Sequence, residues 1–82
     1  MPIKHKSTEE KRIWGASCQR LLEDKDLARI LDDVRERQIR VFEDSQATPE
    51  ELATAHAVAC GIKEILAEMQ RGVRNAKHSE NN

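Results

Sequence analysis

Eighty-two residues bound this chain to one small domain. Charged residues make up 35% of it while the net charge is −1, which excludes bulk polyelectrolyte attraction to nucleic acid or membrane as the force behind binding. Trp14 and Phe42 are its only aromatics, and at roughly 25 cal/mol per Å² of buried apolar surface so thin a core barely offsets the entropy of ordering the chain, a shortfall that self-association can make up.

Residues 1–6 show no periodicity and read as a flexible basic arm. Charge is unevenly placed. Lys4, Lys6, Lys11, Arg12 and Arg20 face only Glu9 and Glu10 within residues 1–20, whereas residues 21–58 hold ten acids and five bases. The opening segment lacks an apolar core, so no signal peptide is expected, and no apolar run is long enough to span a bilayer.

The first helix is announced by Ser7 and Glu10, spaced as a capping box in which each side chain satisfies the other residue's free amide. Trp14, Cys18, Leu21 and Leu22 then fall on one helical face. Gly15 weakens this helix by about 1 kcal/mol relative to alanine and offers room for a second backbone beside Trp14. At Glu23-Asp24-Lys25-Asp26 the pattern breaks, since continuing it lands on Lys25 and Asp32. The apolar phase restarts at Leu27, Ile30, Leu31, Val34, Val41 and Phe42, so Asp24 or Asp26 caps a second helix running to about residue 44. Gln38 occupies a place in that stripe and needs a polar partner if buried.

Residues 44–49 are the clearest punctuation: Thr48 caps, Pro49 suits the first helical position, and Glu51 completes a second capping box. A connection this short predicts antiparallel neighbours. In the third helix Leu52, Ala55, Ala59, Ile62, Leu66, Met69 and Val73 alternate spacings of three and four, a heptad seam that Val58 and Ile65 widen on one side. The second helix is too short to cover all of it. The part near Leu66, Met69 and Val73 must be covered by the first helix or by another chain, which makes Trp14, Leu21, Leu22, Leu66, Met69 and Val73 the expected protein interface. From Asn75 the tail is polar and patternless, so the expected organisation is an arm over 1–6, a helical domain over 7–74 and a disordered tail over 75–82.

Little chemistry is encoded. His56 and Cys60, four apart, share a helical face and make half a zinc site. Structural zinc takes four ligands, commonly all from protein, and His5 and His78 lie in the two ends. The pair therefore reads as two side chains beside the seam, with no metal or cofactor expected. Carboxylates pair with bases at helical spacing, as Asp33 with Arg37 and Glu36 with Arg40, the habit of a solvated face. Phosphate loops, nucleophile elbows and dinucleotide fingerprints are missing from the sequence, so no catalytic residue and no enzyme activity are expected. Cys18 and Cys60 sit in apolar helical patterns and read as reduced thiols used as small hydrophobes.

The order of parts over residues 21–70 resembles short helical proteins encoded among the head-morphogenesis genes of tailed bacteriophages. The matching parts are Leu21 and Leu22, the cap at Asp24, Phe42 near the end of the second helix, the polar turn over 45–49, and the alanine-rich helix between Leu52 and Met69. The resemblance implies a virion-assembly or accessory role and no enzymatic site. The expected fold is all-α, an antiparallel hairpin of the second and third helices with an additional N-terminal helix packed across it. The expected function is that of a structural or adaptor protein, cytoplasmic or in the virion, binding copies of itself and an unidentified protein partner. Two alternatives stand beside it. One is a nucleic-acid-associated regulator working through Lys4, Lys6, Lys11 and Arg12; the other is a helical inhibitor of a host enzyme.

Overall fold

The computed structural model describes residues 7–80. Three α-helices account for most of them: α1 over Thr8–Glu23, α2 over Lys25–Glu43 and α3 over Pro49–Glu80, with no strand among the described residues. All three helices touch one another, and α1 makes its most extensive contact with α3 rather than with its neighbour α2.

The boundaries follow the capping residues. The Ser7 hydroxyl accepts from the Glu10 amide at 3.1 Å. Asp24 has extended backbone angles and serves two helices at once. Its amide donates to the Leu21 carbonyl at the end of α1, and its carboxylate accepts from the Leu27 amide at 2.9 Å at the start of α2. One residue in extended conformation is thus enough to turn one helix into another. The turn after α2 is closed by Asp44, whose carboxylate accepts from the Gln46 amide at 2.9 Å. The second capping box is complete in both directions, Glu51 amide to Thr48 hydroxyl at 3.1 Å and Thr48 amide to Glu51 carboxylate at 2.9 Å.

Three apolar columns run along α3, each with residues seven apart. Ala55, Ile62, Met69 and Ala76 form the middle column and are all buried. Leu52, Ala59, Leu66 and Val73 form one flank and are half-buried; Val58, Ile65 and Gly72 form the other and are half-buried, exposed and buried in turn. Sevenfold spacing with a slowly drifting contact line is the packing of helices wound gently about each other. The helix runs past Asn75 to Glu80, beyond the place where its apolar pattern thins, because Ala76 continues the middle column and packs on α1.

That packing is close. A Cβ on Gly15 would overlap the Ala76 methyl, and one on Gly72 would sit 2.5 Å from Cys18 Sγ and 3.1 Å from Trp14 Nε1. Gly15 and Cys18 are the buried residues of α1, so small side chains on both helices let α1 and α3 approach through their backbones. The contact of α2 is looser. Leu27, Leu31, Val34, Gln38 and Val41 are half-buried, and no residue of α2 is buried outright. Gln38 finds its polar partner within its own helix, donating to the Val34 carbonyl at 2.8 Å. The molecule is drawn out, with principal extents of 53 × 29 × 19 Å and a radius of gyration of 16.7 Å, against about 12 Å for a compact chain of this length.

Candidate interaction surface

The six residues that the sequence offers as an interface divide into three environments. Met69 is buried under α1, while Leu22, Leu66 and Val73 are half-buried. Trp14 and Leu21 keep 45% and 41% of their surface open. The C-terminal part of the α3 seam is therefore covered by α1 of the same chain.

Other large apolar side chains are more open still. Ile30 is 58% and Ile65 50% exposed, and Ile13, Ile39 and Phe42 also stand out from the surface. Single exposed apolar side chains are ordinary, but seven large ones among the described residues, placed beside a core with few large side chains, are not. The sequence carries the signal in the extra apolar column of α3: Ile65 belongs to the column of Val58 and Gly72, for which a single covering helix leaves no room.

The exposed residues can be assigned to sides. Trp14 packs on Gly72, so the indole lies on the Val58–Ile65–Gly72 flank. Leu21 is two turns further along and points the same way. The opposite flank holds a groove of about 460 Å³ between Arg35 and α3, lined by Ala59, Ile62, Lys63, Leu66 and Ala67. Ile30 lies roughly 140° round α2 from Arg35, which puts it on the same side as Trp14, Leu21 and Ile65.

Most charged side chains among the described residues are exposed, and several pair along their own helix. Glu36 meets Arg40 at 3.7 Å as the spacing predicts. Asp33 does not reach Arg37; it lies 3.8 Å from Arg29, and Asp32 takes Arg35 at 2.7 Å. An acid in a helix can have basic neighbours in both directions, and for Asp33 the preceding turn wins. Of the basic cluster, Lys4 and Lys6 fall outside the described residues, Lys11 is half-buried, and Arg12 is exposed with its guanidinium on Glu9.

His56 Nε2 and Cys60 Sγ stand 3.5 Å apart, both exposed. His78 is exposed in the last turn of α3 and His5 lies outside the described residues. No group of three metal-binding side chains forms among the described residues. Cys18 is fully enclosed, and its thiol is raised above the usual range, first by burial and second by the nearby Glu68 carboxylate. No described helix is long and apolar enough to cross a membrane. Comparison of the chain with protein-family models, with curated proteins and with solved structures gives no match.

Proposed function

We propose that this chain is a non-enzymatic structural or adaptor protein that presents helix faces to protein partners, working in the cytoplasm or in a virion. The observation that carries the reading is α2, a helix of nineteen residues that buries none of them fully while seven large apolar side chains among the described residues stay open. Exposed apolar surface of that kind is the usual mark of a contact surface in a chain whose own core is small. The order of close approaches supports an antiparallel arrangement, with α1 and α2 lying in succession along α3. Gly15 meets Ala76, Cys18 meets Gly72, Arg35 lines a groove with Ala59 and Ile62, and Gln38 and Val41 line another with Thr54 and Ala55. The resemblance of residues 21–70 to small helical phage head-morphogenesis proteins supplies virion assembly as the setting.

In-cell crosslinking tests the reading. A photoreactive residue at Ile30, Ile39 or Ile65 is expected to trap discrete protein products, and one at Glu64 or Arg74 to trap none. Absence of any product at all three apolar positions would overturn it. Binding to DNA or RNA that is tight, falls steeply with salt and is lost on removing residues 1–6 would replace it with the nucleic-acid reading.

A further inference from the structure

We infer that the flank carrying Trp14, Leu21, Ile30 and Ile65 docks a second copy of this chain, the six helices of the two copies closing side by side as four columns, each α3 beside its own α1 and α2 in succession. The inference rests on the adaptor reading above and names its first partner.

Three observations select a second copy over a foreign protein. The first is supply. Folding leaves α2 with no buried residue, so the burial that would hold it must come from something present whenever the chain is made, and its own copy meets that condition. The second is register. Half-buried Val58 and exposed Ile65 stand seven residues apart on α3, a spacing that a second heptad helix matches, and this chain carries one. The third is charge. Asp26 and Arg37 lie on the same side of α2 as Ile30, one turn before it and two turns after it, with opposite signs. A two-fold axis passing just beyond Ile30 sets Asp26 of each copy against Arg37 of the other, with Ile30 and Ile65 near the axis and Leu21 and then Trp14 progressively further out. The net charge of −1 adds little repulsion between copies.

The open portions of the four apolar side chains come to something on the order of 400 Å² per chain, about half of the roughly 800 Å² that a stable partner contributes. The remainder has to come from half-buried Val58 and the polar residues around the patch. The other flank is a poorer candidate: Arg35, Lys63 and Gln70 line its groove, so closing it would strip water from two cations.

Sedimentation equilibrium of the full chain, from about 1 μM to 1 mM, tests this. The wild type is expected to approach twice its 9.4 kDa mass. Ile65→Lys and Ile30→Lys each replace a side chain at least half exposed in the single chain, and should weaken dimerisation by roughly tenfold or more while helical content at high concentration is kept. Ile39→Lys, half a turn round α2 from Ile30 and 46% exposed, should leave the mass unchanged. Asp26→Arg should weaken the dimer, and adding Arg37→Asp should restore it. A dimer lost with Ile39→Lys but kept with Ile65→Lys would overturn the inference by moving the contact to the other flank. A wild type monomeric throughout would overturn it too; crosslinks from Ile30 or Ile65 to a different protein would then leave the adaptor reading standing, and no crosslinks would end both.

Discussion

Gly61 and Gly72 lie on the same helix and face opposite packing environments, so replacing each by alanine makes a controlled comparison. Glycine inside a helix costs about 1 kcal/mol relative to alanine. At Gly61 a new Cβ meets no atom within 4 Å, so Gly61→Ala should realise that gain and raise the melting temperature by about 4–8 °C for a domain of this size. At Gly72 the same methyl would lie 2.5 Å from Cys18 Sγ and 3.3 Å from Cys18 Cβ. Overpacking of this kind costs about 1–3 kcal/mol, and the propensity gain offsets about 1 of it. The two variants should therefore differ by about 1–3 kcal/mol, with Gly72→Ala the less stable. Thermal melts followed by circular dichroism, at one fixed protein concentration, read the difference. A partner substitution localises the cause: Cys18→Ala removes the sulfur from the overlap, so Gly72→Ala should cost less in that background than in the wild type. If Gly72→Ala stabilises the chain as much as Gly61→Ala does, α1 does not lie on α3 at this crossing and the account of the α1–α3 contact is wrong.

Asp24→Ala removes the carboxylate that accepts from the Leu27 amide and should cost about 1 kcal/mol, read as a lower denaturation midpoint with unchanged slope. The raised Cys18 thiol makes stability depend on alkaline pH. Its folded pKa lies above the unfolded one, so the unfolded chain releases this proton first, and stability should fall as pH rises past about 8.5. Cys18→Ala should lose that contribution, and an alkaline slope identical in both proteins would refute it. With no group of three metal-binding side chains among the described residues, and His56 and Cys60 alone of them in contact, melts with and without a chelator should coincide; a large loss on chelation would reveal further ligands.

The helix starts were legible because each is written in side-chain chemistry within four residues of the break, with Asp24 and Asp26 both on offer for α2, whereas the end of α3 at Glu80 was not. Ser7, Asp24 and Thr48 all cap where their spacing to Glu10, Leu27 and Glu51 says they should. The seam of α3 was legible as a period but not as a hierarchy. Seven-residue spacing occurs in three columns, and which one becomes central depends on where the covering helices sit. The contact at the C-terminal end was the least visible. Ala76 lies in a run of polar residues whose sequence alone resembles a frayed tail, and it becomes helical and buried because Gly15, far away in the chain, provides the space. Gly15 itself was a fair hint, since a glycine beside Trp14 in an otherwise strong helix invites a close neighbour. Gly72 gave no warning. On the surface, Trp14 and Leu21 could be singled out by their apolar stripe and do stand open, whereas Ile30 and Ile65 were ordinary members of their patterns until the covering helices were placed.

The two docked contacts of α3 also separate speed from strength. The turn over 44–48 joins α2 to α3 directly, so that pair closes a short loop and comes together early, but it encloses no residue of α2. The tight contact joins Gly15 to Ala76, near opposite ends of the chain, and carries the larger loop-closure entropy. The portion that assembles first is then the portion that opens most readily afterwards. During synthesis the stronger contact waits for α3 to emerge almost in full, and until then the Trp14 face of α1 has nothing of its own to rest on.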